Sequence, residues 1–239
     1  KQLGIENGAE YLCFHNRDSS FLKKISPDQN WDYHNYRDSD IENYLLMAEK
    51  MALNGYYCIR MGAEVEKPLN TVNSRIIDYS SNGKRSDFND IFLGSNCKFF
   101  VTSDGGMSII PEMFRLPVVY VNWTPILRIS TWVLTGIFIF KYFYNESEER
   151  FLNFNEIMNL DFTKENTSQS FKNLGITLIE NSPQEIYLAV DEMNRRLNGS
   201  WVEKKEDKNL QDLFWNQYGL NKLKSPNLKI GASFLNKNK

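Results

Sequence analysis

Three arginines stand at positions where anion chemistry could be done. Arg17 belongs to His15-Asn-Arg-Asp18 and Arg60 to Ile59-Arg-Met-Gly62, each directly after an apolar run, while Arg37 lies in His34-Asn-Tyr-Arg-Asp38 within a long polar segment. A guanidinium presents a planar fork of donors that can hold a phosphate through two hydrogen bonds at once. A fourth element, Ser103-Asp-Gly-Gly-Met-Ser108, follows the apolar run Lys98–Thr102. It reads as a tight turn between a strand and a helix, leaving backbone N–H groups to meet a phosphate or a sugar hydroxyl. Each arginine could instead order its own loop by pairing with a neighbouring carboxylate, Asp18 for Arg17 and Asp38 for Arg37. Convergence with the turn at 103–108 favours anion binding.

His15 and His34 are the chain's two histidines and fall in the same region. Imidazole titrates near neutrality, so either could be a general base or a buried structural group. Asp104 could accept from a sugar or ribose hydroxyl, or cap the helix behind it. His15, Asp18, His34, Asp38 and Asp40 offer ligand types without a recognised metal spacing, so no metal is expected. Neither a Gly-x-Ser-x-Gly elbow nor a P-loop lysine motif is present, and Cys13 sits mid-strand. The catalytic candidates are therefore Arg17, His15 and Asp104. The binding candidates are Arg17, Arg37, Arg60, Ser103, Gly105, Gly106, Met107 and Ser108.

These residues need strands to deliver them to one edge. Glu10–Phe14, Tyr56–Met61, Arg75–Tyr79, Phe99–Val101 and Pro117–Val121 read as short buried strands, the last ending at Asn122. Helical spacing at Ile41, Tyr44, Leu45, Ala48, Met51 and Ala52, capped by Asp38 or Ser39 and stopped at Asn54-Gly55, predicts a crossover helix. A second, shorter helix is expected over Asp87–Leu93. The alternation predicts a Rossmann-like, doubly wound α/β domain with a parallel sheet. Residues 19–39 are expected to form a functional loop. Beyond Trp123 the pattern loosens: a strand at Ile137–Tyr142, a helix at Asn155–Leu160, a polar loop at Asp161–Ser170, and a last strand at Ile176–Ile179. Ser182, Pro183 and Glu185 start a helix that runs to Leu197, and another spans Asp207–Tyr218 before a short closing element at Ile230–Leu235.

With 239 residues and 41% hydrophobic content the chain can bury one large core, and a net charge of −2 argues against a nucleic-acid interface. Cys13, Cys58 and Cys97 fall in apolar runs and read as reduced buried thiols, which points to the cytoplasm. Asn166-Thr-Ser168 matches a glycosylation sequon, a chance match in that setting. Ile126–Tyr144 is rich in apolar residues but interrupted by Arg128, Gly136 and Lys141. The interruptions argue against a span and leave peripheral membrane association open. The aromatic cluster from Trp123 to Tyr144 could be core or could line an acceptor site.

His15-Asn-Arg-Asp18 after a strand, His34-x-Tyr-Arg-x-x-Asp40, Gly55-Tyr-Tyr-x-Ile-Arg-Met-Gly62 and the block Cys97–Asn122 resemble a poorly characterised bacterial glycosyltransferase family found in surface-polysaccharide gene neighbourhoods. Ile179-Glu-Asn-Ser-Pro-Gln-Glu-Ile186 and Gly231-Ala-Ser-Phe-Leu235 also look like that family. More distantly, the His-x-Arg strand end and the block from Asp90 through Thr102–Ser108 are similar to the donor domain of GDP-fucose-using fucosyltransferases. There a second basic residue or a glycine normally follows; here Asp18 and Ser19 stand in its place, so fucose is not carried over. The resemblance implies a GT-B-like arrangement in which this chain, residues 1–239, is a single donor-binding domain and a separate N-terminal half contributes to acceptor binding. It implies that Arg17 holds the donor diphosphate and that Ser103–Ser108 meet the phosphates or sugar. Arg37 and Arg60 have no secure counterpart in the fucosyltransferases, so their assignment rests on the chemistry of the guanidinium. The expected partners are a nucleotide-sugar and a glycan or lipid-linked acceptor, at the inner face of the membrane, with no separate cofactor. A sugar-nucleotide epimerase or hydrolase, and a non-catalytic glycan-binding module, are the alternatives.

Overall fold

Tyr11–His15 forms β1, an apolar run with three fully buried side chains at its centre. The chain then makes α1 (Ser20–Ile25), a 3₁₀ stretch at Asp32–Arg37, and, after a second 3₁₀ turn at Ile41–Tyr44, α2 (Leu45–Leu53). There follow β2 (Tyr57–Arg60), β3 (Ile76–Asp78), α3 (Asp87–Asn96), β4 (Phe100–Thr102), α4 (Ile109–Met113) and β5 (Val118–Trp123). The second half comprises β6 (Thr135–Phe140), β7 (Tyr142–Asn145), β8 (Arg150–Phe151), α5 (Phe154–Met158), α6 (Ser168–Asn173) and β9 (Ile176–Ile179). It closes with α7 (Pro183–Leu197), α8 (Lys205–Tyr218), β10 (Asn227–Ile230) and α9 (Ala232–Lys237). This is a computed structural model, and it describes residues 3–160, 166–219 and 224–238.

Seven strands pair in parallel in the order β10-β6-β5-β4-β1-β2-β3. The expected doubly wound α/β architecture is thus the observed one. From β1 the chain builds outward through β2 and β3, then returns to the other side of β1 to lay down β4, β5 and β6. The order reverses between β1 and β4, and a crevice opens outside the carboxyl ends of strands at such a reversal. The register sets His15 beside Thr102 and Phe14 beside Arg60.

Alternation along the strands sorts side chains onto two faces. Leu12, Phe14, Cys58 and Val101 pack with α2 and α7, whereas Cys13, Ile59, Met61 and Phe100 pack with Leu93 of α3. A third cluster gathers Tyr120, Trp123, Phe138 and Phe140 with Phe214, Trp215 and Tyr218 of α8. Trp123, Phe138, Phe140 and Phe143 are therefore core residues, while Trp132 is exposed.

Several expectations are corrected. Residues 19–39 are not one loop but carry α1 and the 3₁₀ stretch at 32–37. The cap before Ile41 is Asp40, whose carboxylate accepts from Glu42 N at 3.0 Å, rather than Asp38 or Ser39. Cys97 ends α3 instead of lying in a strand; all three cysteines are nonetheless free and buried. The run 137–142 is split by Lys141, after which the chain leaves the main sheet. There β7 joins β8 and β9 in a small antiparallel sheet, so Ile176–Ile179 is neither parallel nor the last strand. The closing element is two, β10 and α9, parted at Gly231, where a Cβ would sit 2.8 Å from Ile139 Cγ2. Of the polar loop at 161–170, residues 161–165 lie outside the described residues; Thr167 caps α6. Among the described residues no helix is long and apolar enough to cross a membrane.

The small sheet is tied back by two buried asparagines. Asn122 N donates to Asn181 Oδ1 at 2.7 Å, Asn181 N to Asn122 Oδ1 at 2.6 Å, and Asn181 Nδ2 to Phe140 O at 2.7 Å.

Candidate functional site

At the carboxyl ends of β1 and β4 a cavity of about 540 Å3 is lined by His15, Arg17, Arg37, Gly105, Gly106 and Met107. Six of the candidates from the sequence thus share one wall. Arg17 reaches it because Arg17 N donates to Ser103 Oγ at 2.9 Å, clamping the end of β1 to the turn after β4. Ser103 is accordingly spent on holding the strands together, and Ser108 Oγ donates back to Gly105 O at 3.0 Å. Neither serine lines the cavity.

The arginines pair differently from the sequence expectation. Arg17 Nη1 binds the Asp38 carboxylate, and Arg37 Nη1 lies 3.4 Å from Asp104 Oδ2. Asp18 instead accepts two backbone N–H groups, from Ser20 at 2.9 Å and Glu66 at 3.1 Å. Proximity in sequence loses because a residue adjacent to Arg17 cannot place its carboxylate across the guanidinium, whereas the 3₁₀ stretch folds back to do so. Asp104 caps no helix: the turn before α4 has no side-chain cap, and the Asp104 carboxylate faces Arg37. Burial raises the Asp104 pKa despite Arg37, Arg17 and Arg128 nearby.

Each guanidinium keeps a nitrogen in reserve. Among the described residues Arg17 Nη2 and Arg37 Nε are buried with no hydrogen-bond partner, as are His34 Nδ1 and Asp90 Oδ1 in the same lining. Buried donors and acceptors of this kind are rare unless something else satisfies them. Burial first, and Arg37 second, lower the Arg17 pKa to about 10, so it remains a cation at neutral pH.

His15 is held neutral. Burial is the main cause, with Arg60 and Arg17 adding to it and Asp18 opposing, and the pKa falls to about 4. Its Nδ1 lies 3.5 Å from Thr102 Oγ1. His34 is also lowered, by burial and by Arg37.

The glycines act through missing side chains rather than unusual backbone. Gly105 is extended, and a Cβ on Gly106 would meet nothing within 4 Å, leaving open space above the turn. The glycine whose conformation matters is Gly62, at φ +152° with Val65 Cγ1 3.0 Å from a would-be Cβ.

Arg60 stands apart from the other two arginines. It follows the pleat onto the α2 face, is fully buried, and donates to Lys67 O at 2.7 Å, with Asp78 Oδ2 at 3.6 Å. It borders a different cavity of about 990 Å3, whose lining also includes Tyr36, Lys141, Phe171 and Glu180. Asn16 and Asp18 belong to both cavities and form the wall between them.

Sequence reasoning missed Trp31, Arg85 and Asp90 in the smaller cavity. Asp90 Oδ2 accepts from Arg85 Nε at 3.0 Å, and burial raises the Asp90 pKa. A signal was there: Asp90, Leu93 and Gly94 are the buried positions of α3, so a carboxylate occupies its inward face. Trp31 stacks on His34 at 6.5 Å between ring centroids, 12° from parallel. Among the described residues no three His, Cys, Asp or Glu side chains converge as a metal-binding group.

No known family's sequence profile matches the chain, and no curated protein matches it by sequence. A heptosyltransferase is among its structural neighbours. It is the dodecameric, iron-containing TibC in complex with ADP-D-β-D-heptose, 14% identical, with a TM-score of 0.37 over 82% of this chain and 48% of that one. This chain therefore spans about half of that protein's length, and a likeness so distant carries no functional argument. The α/β assignment rests on the sheet itself.

Proposed function

We propose that the 540 Å3 cavity holds the diphosphate of a nucleotide-sugar and that the protein is a glycosyltransferase. The observation that carries this reading is the pair of buried, unpartnered nitrogens, Arg17 Nη2 and Arg37 Nε, in one cavity at the switch point of the sheet. An orphaned charged donor costs on the order of 1–3 kcal/mol or more, a cost a bound anion removes. Asp38 and Asp104 fix the two guanidinium planes without consuming those nitrogens. The resemblance of the His15–Asp18 and Cys97–Asn122 segments to bacterial glycosyltransferases supports the same reading.

In the reaction the bond between the anomeric carbon and the diphosphate oxygen breaks, and its electron pair leaves on the diphosphate. Arg17 and Arg37 neutralise that charge as it grows, the role a divalent ion takes in metal-dependent transferases. The acceptor oxygen bonds to the anomeric carbon and its proton passes to a base. His15, neutral at pH 7, borders the same space and can take it. Gly106 leaves room for the sugar, and Asp90 Oδ1 is free to accept from a hydroxyl or a base N–H. The acceptor is a glycan or lipid-linked sugar, and the three reduced thiols fit a cytoplasmic site of action.

Calorimetry against nucleoside diphosphates and nucleotide-sugars tests the proposal. Binding is expected with the native protein and lost with Arg17→Ala, and absence of binding to the native protein would overturn it. The low basicity of His15 favours one second reading, a nucleotide-sugar-binding module without turnover. Binding without donor hydrolysis or transfer would select it.

A further inference from the structure

Lys141 is the single residue between β6 and β7, where the chain passes from the large sheet to the small one, and it is 5% exposed. Among the described residues no carboxylate is in contact with its ammonium. Instead Nζ donates to two main-chain carbonyls of the 3₁₀ stretch that carries the site, Tyr36 O at 3.2 Å and Asp38 O. Between those carbonyls lies Arg37, and Asp38 is the carboxylate that orients Arg17. The same segment is held from other sides by Ser168 Oγ, accepting from Tyr36 N at 3.1 Å, by Arg17 O, accepting from Ser39 N at 3.0 Å, and by Asn16 Nδ2, donating to Ser39 O at 2.8 Å. Of the groups bonded to this backbone, only the Lys141 ammonium is charged.

We infer that Lys141 is a positioning residue for the anion site: its ammonium fixes the Tyr36–Asp38 backbone so that Arg37, and Arg17 through its pairing with Asp38, face the cavity together. The inference rests on the proposed diphosphate site for its consequence on binding, although the backbone restraint stands without it. A desolvated ammonium is costly, and an apolar residue would fill the junction more cheaply but leave two buried carbonyls unpaired. What the lysine supplies is a charge-assisted clamp between the second sheet and the site.

The clamp titrates close to physiological pH. Burial is the chief cause, Arg17 contributes and Glu180 opposes, and together they lower the Lys141 pKa to about 8. The groups around it are the Arg17–Asp38 pair, the Tyr36 hydroxyl, and Glu180, which accepts from Asp40 N and Asn43 Nδ2 at 2.9 Å each. Across the larger cavity stand Arg60, Glu66, Glu146, Lys172 and the Lys67–Asp40 pair. Arg17, the neighbouring cation, titrates at about 10, outside the interval from pH 7 to 9. Deprotonation removes the charge, so the clamp weakens as pH rises through that interval.

The test compares the wild type with Lys141→Met and Lys141→Arg, using inorganic pyrophosphate as the probe. Calorimetry should show pyrophosphate binding weakened roughly tenfold in K141M, the loss of one charge-assisted hydrogen bond, and partly restored in K141R. The ratio of wild-type to K141M affinity should fall between pH 7 and 9, a ratio from which the titration of pyrophosphate itself cancels. Hydrogen exchange of the Asp38 and Ser39 amides should quicken in K141M while Ile186 in α7 is unchanged. Unchanged affinity and unchanged exchange in a folded K141M would overturn the inference. Where K141M does not fold, the wild-type exchange profile decides. Opening of Asp38 and Ser39 relative to Ile186 must increase from pH 7 to 9, and a flat ratio refutes it. A wild type that binds neither pyrophosphate nor nucleotides defeats the proposed function instead, and exchange still judges Lys141.

Discussion

The β10 end of the main sheet and its centre use the same parallel strands for opposite purposes. Around β6, β10 and α8 buried polar groups are matched: Gln211 pairs with both backbone groups of Ile230, Trp215 Nε1 donates to Gln211 at 3.2 Å, and Tyr218 OH donates to Ile126 O at 2.9 Å. Asn122 Nδ2, Trp123 Nε1 and Thr124 Oγ1, at the carboxyl end of β5 beside β6, are the exceptions. Around β1 and β4 four side chains of one cavity each keep an unmatched buried atom. The first region spends its chemistry on stability; the second withholds part of it for a ligand. Unsatisfied charge in a scaffold is a marker of function when it is concentrated in one concave place.

The sharpest way to break this contrast is to damage the matched end. Phe138→Ala removes a fully buried ring stacked on Tyr120 at 4.2 Å between centroids, and should cost about 3–5 kcal/mol in urea unfolding. Pyrophosphate affinity of the molecules that remain folded should be unaltered; a parallel loss of affinity would show the two regions to be one unit. Arg17→Ala should do the reverse, weakening pyrophosphate binding by about 2–3 kcal/mol with little change in the unfolding midpoint. Arg60→Met separates the arginines. It should cost about 1–2 kcal/mol of stability through the orphaned Lys67 carbonyl while sparing affinity, and an affinity loss equal to that of R17A would place Arg60 in the site after all.

A last expected effect concerns pH. His15 has a folded pKa near 4 against 6.5 for the free imidazole, so the unfolded chain binds the extra proton between these values. Its contribution to stability is therefore complete above pH 6.5 and lost as pH falls toward 4. Replacing His15 with Gln should flatten that part of the stability profile, as measured by unfolding at pH 4.5, 5.5 and 6.5. An identical slope would mean that His15 is not kept neutral in the folded protein.

Much of the fold was legible locally. Ser182, Pro183 and Glu185 form the capping box that starts α7, and the helix stops at Asn198 as the spacing indicates. The apolar runs became the strands of the main sheet because each is long enough to cross it and too short for a stable helix. The second sheet was not legible. Nothing in Lys141–Asn145 marks a change of sheet, since a short aromatic run reads as a strand in either. Asp90 and Trp31 were overlooked because each belongs to an element whose other residues look ordinary.

By itself the sequence determined that polar and charged residues follow β1 and β4, because apolar runs that cross a buried core must end in something that tolerates water. It determined the α/β class, because strands and helices alternate. The tertiary structure decided the rest. Period-two alternation sends His15 and Arg60 to opposite faces, but only the register of β1 against β2 and β4 says which face meets which cavity. Pairing of Arg17 with Asp38, and of Arg37 with Asp104, depends on a 3₁₀ stretch folded over the strand ends and held there by Lys141. Such contacts span tens of residues, and a chain read locally carries no measure of them.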